Sequence, residues 1–338
     1  MRFADLLGQE ITVRLLKSAL LKDRVAHAYL LAGPPGAGKR TLARILAAAL
    51  NCAARGGPEW DGEPCGECPS CQKMARGNHP DVQVIAPDGS HLKLEQMQEL
   101  RRENARRPYE GRCKVFIVEQ AELMTDEAAN CLLKTLEEPP GPTVFLLLTA
   151  YPARILPTIA SRCSVLKLAR LREAEIVQKL VAEGRTEEEA RAAAGLAGGS
   201  LGRARTVAGR WNELREEARD FFAAACRGDR VALLARAAAW SKSREEAQER
   251  LELLEALYRQ LLLAAGGAPA GVWQQVLGRE AERLSLDSAR TALEALMWGR
   301  QALSANAHRR LLLEVLFLQI ARCHEGSEPL PGLAKGLG

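Results

Sequence analysis

The sequence predicts two kinds of structure in succession, an α/β part with a parallel sheet and then a part made only of helices. Apolar runs at 29–32, 114–118 and 143–149 are short and nearly uninterrupted, which is typical of buried parallel strands. Helical patterns separate these runs. After residue 171 apolar residues recur at helical spacing, and the chain is rich in Ala, Leu, Arg and Glu, which favour helices.

The composition is that of a globular protein with two or three domains. At 338 residues the chain exceeds one ordinary core, and its 47% apolar and 26% charged residues argue against a disordered chain. The formal net charge of +5 is spread along the sequence, so contact with nucleic acid is permitted but not required.

The start of the chain and its cysteines predict a cytoplasmic protein. Arg2, Asp5 and Glu10 argue against a signal peptide, and no apolar run is long enough for a membrane span. Nine cysteines are an odd number, and in a reducing compartment a local group of them indicates metal binding rather than disulfides.

The glycine-rich stretch at 33–41 has the G-x-x-x-x-G-K spacing of a phosphate-binding loop. Glycines let backbone N–H groups turn toward phosphates, and Lys39 would reach the terminal phosphates. The next residue should carry the Ser or Thr hydroxyl that holds Mg²⁺, but it is Arg40, and Thr41 comes one position late. The predicted nucleotide-binding residues of this loop are Gly33, Gly36, Gly38, Lys39, Arg40 and Thr41.

A group of four cysteines predicts a structural zinc site in a module at about 52–71. Two overlapping C-x-x-C steps and one upstream cysteine let thiolates converge at roughly 2.3 Å around Zn²⁺. The alternative is a set of unligated or redox-sensing thiols. His79 lies nearby, and we expect it to be a loop residue rather than a ligand. The predicted ligands are Cys52, Cys65, Cys68 and Cys71.

A basic helix is predicted at 94–107, after a short strand at 82–86. Its arginines either contact DNA phosphates or form an ordinary solvated face, which is the more common arrangement. These arginines are Arg101, Arg102, Arg106 and Arg107.

The strand at 114–118 runs into Glu119 and Gln120, where a hydrolysing P-loop ATPase has Asp and Glu. The Asp orients Mg²⁺ and the Glu polarises the attacking water. Gln120 cannot accept a proton, and loss of a general base costs about 10²- to 10⁴-fold in rate. We expect ATP or ADP to be bound without hydrolysis, with Arg40 placing its charge where that of the metal would be.

Two further polar positions follow. Thr125 is a candidate N-cap for a helix at 126–136, which two prolines at 139 and 140 would end. The strand at 143–149 ends in Thr149, at the carboxyl edge where open α/β sheets bind ligands, so Thr149 could contact a γ-phosphate. Ser161-Arg162-Cys163 then leads into a strand at 164–168.

Taken together, these motifs resemble the bacterial clamp-loader branch of the AAA+ proteins. The resemblance rests on the phosphate loop, the cysteine group, the run from Asn130 to Pro140 (NCLLKTLEEPP) and the Ser-Arg-Cys tripeptide, and it covers roughly residues 1–210. It implies a RecA-like AAA+ P-loop domain at 1–168 with the zinc module, a helical lid at 169–209 and a helical collar or oligomerisation domain at 210–325. A disordered tail is predicted at 326–338.

Within that branch, Arg40, Glu119 and Gln120 favour the stator, or delta-prime, class over the ATP-hydrolysing gamma/tau motor class. The resemblance then implies gamma/tau and delta subunits as partners in a hetero-oligomeric ring, with the sliding clamp and primed DNA engaged through the complex. It places the protein in the cytoplasm, at the nucleoid-associated replisome. By its own residues the chain would be non-catalytic, although it would be part of the DNA polymerase III holoenzyme.

The resemblance also assigns two arginines. Arg162 looks like an arginine finger that stabilises charge on the γ-phosphoryl group of a neighbouring subunit, an effect worth about 10³- to 10⁵-fold in related GTPases. The alternative is a local pair with a carboxylate. Arg203 resembles a sensor arginine that contacts nucleotide from the lid, and an ordinary arginine in the first turn of a helix is an equally good interpretation.

The helical remainder shows no chemistry. Capping boxes are predicted at 186–189 and 243–246, a loop at 266–269, and apolar stripes at 251–261 and 312–320. Two other functions remain open: an ATP-hydrolysing motor or AAA+ remodeller, and a zinc-dependent DNA-binding protein with a vestigial ATPase fold. The latter predicts tight, salt-sensitive DNA binding by the chain alone.

Overall fold

The computed structural model describes residues 2–137, 141–268, 271–278, 281, 284–305 and 307–327. Clustering of the chain gives two compact units, Met1–Glu175 and Ile176–Gly338. The prolines at 139 and 140 and the predicted tail from residue 328 onward lie outside the described residues. The division of the helical part into a lid and a collar stays a prediction.

The first unit is built on a five-stranded sheet in which every neighbouring pair of strands is parallel. The strands are β1 (Ala28–Ala32), β2 (Val82–Ile85), β3 (Lys114–Val118), β4 (Thr143–Thr149) and β5 (Ser164–Lys167), in the spatial order β2-β3-β4-β1-β5. The three central strands are buried throughout, which explains their nearly continuous apolar sequences. Because all strands run the same way, their carboxyl ends share one edge of the sheet.

Helices cover both faces of this sheet. Since alternate residues of a strand point to opposite faces, each strand contributes side chains to both cores. The helices of the unit are α1 (Glu10–Leu21), α2 (Lys39–Leu50), α3 (Pro69–Arg76), α4 (Leu94–Asn104), α5 (Asp126–Glu137) and α6 (Pro157–Ala160). Leu31, Ile117 and Leu148 pack with the residues of α1 and α2, whereas Leu30 and Phe116 pack with those of α4 and α5.

The described residues of the second part of the chain form helices joined by turns and short loops. It comprises α7 (Glu173–Ala182), α8 (Glu187–Ala197), α9 (Leu201–Gly209), α10 (Trp211–Cys226), α11 (Arg230–Trp240), α12 (Arg244–Ala265), α13 (Val272–Leu277), α14 (Leu286–Ser304) and α15 (Arg309–His324). Of the predicted stripes, Val315 is only half-buried, and seven residues are buried in the core: Leu251, Leu254, Tyr258, Leu261, Leu312, Leu316 and Ile320. The predicted fold class, a P-loop α/β domain followed by helices, is confirmed.

Helix ends follow local capping chemistry. Thr186 and Glu189 form the predicted capping box, and the Thr125 hydroxyl accepts a hydrogen bond from the backbone N–H of Ala128. The predicted end of α4 at 107 is wrong, because the helix ends at Asn104. Pro108 disfavours helical backbone in the residue before it, so Arg106 and Arg107 lie beyond the helix. None of the helices formed by the described residues combines the length and the apolarity needed to cross a bilayer.

A buried histidine in the second unit predicts acid sensitivity. His324 lies between the Tyr258 hydroxyl (2.7 Å from Nε2) and the Cys226 sulfur (3.2 Å from Nδ1), and burial lowers its pKa from 6.5 to about 4. Unfolding lets this imidazole take up a proton between those two pH values, so stability should fall by up to about 3 kcal/mol as pH drops from 6.5 to 4. Denaturant titrations at several pH values in this range give the free energy of unfolding of the wild type and of His324→Gln. If that free energy changes equally with pH in the two proteins, the prediction is contradicted.

Candidate functional site

The glycine-rich loop connects β1 to α2 at the carboxyl edge of the sheet. Gly36 and Gly38 have φ of 78° and 89°, in the left-handed region that favours glycine, and Gly38 is the N-cap of α2. A Cβ on Gly33 would lie 2.5 Å from the carbonyl oxygen of Leu168, so that position has no room for a side chain. The backbone and the N-terminus of α2 therefore have the form of a phosphate cradle.

Lys39 is folded back onto this loop. Its Nζ donates hydrogen bonds to the carbonyl oxygens of Gly33 (2.5 Å) and Pro34 (2.9 Å). Burial lowers the pKa of Lys39, and the negative charge of Glu122 partly offsets that effect. To bind a phosphate, Lys39 would exchange its carbonyl acceptors for phosphate oxygens.

Arg40 forms a bidentate ion pair with Glu119. The guanidinium Nε and Nη2 donate to the two carboxylate oxygens, and this contact raises the pKa of Arg40. The Glu119 side chain is 12% exposed, whereas that of Arg40 is 67% exposed. The pair joins the first turn of α2 to the end of β3, the two positions that Mg²⁺ links in a hydrolysing P-loop enzyme.

The other predicted residues of this edge differ in their surroundings. Gln120 is exposed and has φ of 49°, which is uncommon for a residue other than glycine. Thr149 is fully buried opposite Ala32, and its Oγ1 accepts a hydrogen bond from the backbone N–H of Tyr151 at 3.0 Å. Thr41 is exposed on α2.

Glu122 is a residue of this edge that the sequence analysis missed. Its Oε1 accepts a hydrogen bond from the backbone N–H of Ala150 at 3.1 Å, while Oε2 is buried and lacks a hydrogen-bond partner among the described residues. Its charge also acts on Lys39. The available signal was that Glu122 is an acidic residue shortly after a buried strand. It was missed because Glu119 and Gln120 stand at the two positions where acidic residues are expected.

The four cysteines converge as predicted. All four sulfur atoms lie within 4.8 Å of one another, and Cys65 Sγ is 3.9 Å from Cys71 Sγ. Tetrahedral zinc with Zn–S bonds of about 2.3 Å requires sulfur atoms roughly 3.8 Å apart, so the geometry fits such an ion. Backbone N–H groups of Cys65, Cys68 and Cys71 each donate to a sulfur of the group at 3.4 Å. These cysteines could therefore hold a metal ion such as zinc.

The thiols of the cluster differ in acidity. Burial raises the pKa of the Cys71 thiol. Burial is also the largest influence on Cys65 and acts to raise its pKa, but hydrogen bonds from the backbone at Cys68 and Glu67 and with the Cys52 and Cys68 side chains together lower that pKa to about 7. Cys68 begins α3 as its N-cap, with Pro69 in the first helical position, so the module leads directly into a helix.

His79 does not join the cluster. Its Nδ1 accepts a hydrogen bond from the backbone N–H of Asp81 at 3.1 Å, and its Nε2 is 3.0 Å from the Ser70 hydroxyl. Burial lowers its pKa, which favours the neutral ring. Both ring nitrogens are engaged, so the residue stabilises the loop after α3.

Arg162 lies between α6 and β5 and contacts its own subunit. Its Nη2 is 2.6 Å from Glu137 Oε1, and its Nη1 donates to the carbonyl oxygen of Thr158 at 3.0 Å. The next residue, Cys163, packs against the core of α5 and β4, and burial raises its pKa to about 11. The Arg162 side chain is 36% exposed.

The remaining predicted arginines are surface residues. In the second unit, Arg203 Nη1 is 3.1 Å from Glu252 Oε2. Four arginines in and after α4 are exposed: Arg101, Arg102, Arg106 and Arg107. Of these, Arg102 and Arg106 each pair with a glutamate three residues earlier. The structure thus gathers Lys39, Arg40, Glu119 and Thr149 at one sheet edge, and the roles proposed for these residues stay predictions.

The first half of the chain is similar to known proteins of one family. The family model described as "DNA polymerase III, delta subunit" matches residues 8–172. The chain is 39% identical over 173 residues to DNA polymerase III subunit delta' of Bacillus subtilis, covering 51% of each chain. It is 47% identical over 143 residues to subunit delta' of Pseudomonas aeruginosa, covering 41% of this chain and 42% of that one.

Similarity extends to another class of subunit. The chain is 39% identical over 178 residues to DNA polymerase III subunit tau/gamma of Haemophilus influenzae, covering 53% of this chain and 25% of the relative. The matches thus span about half the length of the delta' relatives or less, and a quarter of this tau/gamma relative.

Proposed function

We propose that the chain, whose residues 8–172 match the family model described as "DNA polymerase III, delta subunit", is a delta-prime subunit of the bacterial clamp loader. In this role it is a stator of a hetero-oligomeric AAA+ ring that loads the sliding clamp onto primed DNA. Its partners are the gamma/tau motor subunits and the delta subunit. It meets the clamp and DNA through the complex, in the cytoplasm and at the nucleoid-associated replisome.

The observation that carries the choice of a stator is the ion pair between Arg40 and Glu119. A guanidinium supplies one charge and hydrogen bonds, but it cannot coordinate phosphate oxygens and water as Mg²⁺ does. Gln120 next to it cannot accept a proton from the attacking water. Similarity to tau/gamma subunits keeps an ATP-hydrolysing motor as the second candidate, and these residues favour the stator.

The loop at 33–41 is proposed to hold ATP or ADP without turnover. Backbone N–H groups at the start of α2 and the Lys39 ammonium suit phosphate, and Arg40 takes over part of the charge neutralisation that Mg²⁺ supplies elsewhere. Arg203 as a sensor arginine belongs to the same proposal. Its ion pair with Glu252 would have to open for such a contact.

The purified chain should show no steady-state ATP hydrolysis, because both the metal site and the general base are altered. A coupled assay with excess Mg²⁺ measures this, and Lys39→Ala provides the background. Hydrolysis that Lys39→Ala abolishes would identify a motor instead. Binding of a fluorescent ADP analogue with and without EDTA then tests nucleotide binding, which should not depend on Mg²⁺.

The cysteine cluster is proposed to hold one structural zinc ion, bound by Cys52, Cys65, Cys68 and Cys71. Four sulfur ligands close the coordination shell, so this ion would stabilise the fold and would not bind substrate. It would fix the start of α3, whose Met74 packs against the core beside α2.

Arg162 is proposed to act as an arginine finger on the ATP of a neighbouring motor subunit. Its exposure on a short, well-packed turn supports this role, and its planar fork suits phosphate oxygens. The decisive test of the function is reconstitution: the chain, the motor subunits and the delta subunit of the same organism should copurify as one complex with DNA-stimulated ATPase. Failure of the chain to enter any such complex would refute the proposal.

A further inference from the structure

Arg162 reaches the surface already bound by a carboxylate of another element. Glu137 is the last residue of α5, and its Oε1 is 2.6 Å from Arg162 Nη2. We propose that Glu137 is a positioning residue, which holds the Arg162 guanidinium in place for the phosphate of the neighbouring subunit. This inference rests on the proposed role of Arg162 as an arginine finger.

The elements that carry this pair pack into one core. α5 and α6 belong to one core in which Leu132, Leu136 and Ile159 are buried, and Cys163 packs against the same core. The backbone N–H of Arg162 donates to the carbonyl oxygen of Ile159 at 3.1 Å, so the start of the side chain is fixed as well. Glu137 therefore contacts Arg162 from a well-packed helix of the same chain.

The contacts use only part of the guanidinium. Arginine has five N–H donors in one plane. One donor on Nη2 binds Glu137, while Nη1 donates to the carbonyl oxygen of Thr158 and lies 3.5 Å from the Ser161 hydroxyl. The Nε–H and the second N–H of Nη2 have no partner among the residues that the structure describes. These two donors are available to a phosphate while Glu137 remains bound.

Holding the side chain in advance has a catalytic consequence. A long arginine side chain loses rotamer freedom when it is fixed, and Glu137 and Thr158 impose that loss before the neighbour's ATP is met. An arginine finger acts only in the correct geometry, and a misplacement of about 1 Å can cost roughly 10²-fold in rate. Removing Glu137 should therefore lower kcat and leave the KM for ATP nearly unchanged.

The test uses the reconstituted complex and three variants of this chain. Glu137→Ala should lower the kcat of DNA-stimulated ATP hydrolysis at the site served by Arg162 by roughly 10- to 100-fold. Glu137→Gln keeps a hydrogen-bond acceptor without the charge and should restore most of that activity. Glu127→Ala removes an exposed glutamate from the same helix and should behave as wild type. For the isolated chain, the unfolding midpoint of each variant should move by less than about 4 °C, as expected for exposed pairs.

The outcomes separate this inference from the function on which it rests. An unchanged kcat in Glu137→Ala, in a complex that loses activity with Arg162→Ala, overturns the positioning role and leaves the finger intact. A higher kcat in both Glu137 variants also overturns it, because Glu137 would then compete with phosphate for Arg162. If Arg162→Ala itself has no effect, the finger proposal fails.

Discussion

Arg162→Ala should abolish ATP turnover at the neighbouring site on which the proposed arginine finger acts. An arginine finger contributes about 10³- to 10⁵-fold in related GTPases, because it neutralises charge that develops on the transferred phosphoryl group. DNA-stimulated ATP hydrolysis by the reconstituted complex measures the effect.

Two control variants make this result specific. Arg162→Lys keeps the charge but loses the planar fork, so it should recover only a small part of the rate. Arg170→Ala removes an exposed arginine of the same unit and should leave the rate unchanged. Normal turnover by the Arg162→Ala complex would show that the arginine only pairs with Glu137.

Loss of the proposed zinc ion should destabilise the first unit by several kcal/mol. Structural zinc contributes directly to folding, and removal of a metal belongs to the most damaging single changes. We expect one zinc per purified chain, and Cys71→Ser should lose it together with the order of α3. Metal analysis and thermal unfolding with and without a strong chelator measure both effects.

A cysteine outside the cluster provides the control for this experiment. Cys226 lies in the second unit beside His324, and Cys226→Ser should retain the full zinc content. Limited proteolysis should cut the metal-free chain between residues 52 and 76 first, since these residues surround the four ligands. A wild-type chain that purifies without metal and unfolds at the same temperature after chelation would contradict the zinc assignment.

If the chain bound DNA by itself, it would need a basic surface. Phosphate contacts need several free cations on one surface, and their binding weakens steeply with salt. Near the end of α4, Arg102 and Arg106 pair with Glu99 and Glu103. Local pairing of this kind is typical of a solvated face, and it argues against DNA binding by the chain alone.

Local patterns determined the fold class and two of the sites. The runs that form β1, β3 and β4 are apolar throughout because both faces of the sheet are covered. The glycines of the phosphate loop and the C-x-x-C steps act over a few residues, so their spacing alone predicted a cradle and a cluster of sulfur atoms. The end of α4 was misplaced because the effect of Pro108 on the preceding residue was not considered.

The partners of the charged residues depended on tertiary structure. Arg40 and Glu119 are 79 residues apart, and Arg162 and Glu137 are 25 apart, so no local spacing could pair them. Glu122 reaches Ala150, at the carboxyl edge of the sheet, only because β3 and β4 are neighbours in the sheet. The sequence by itself determined which chemical groups this protein has at its glycine-rich loop and at Arg162. Only the packing of distant strands and helices decided which charge each group neutralises, because electrostatic contacts depend on distance in space and not along the chain.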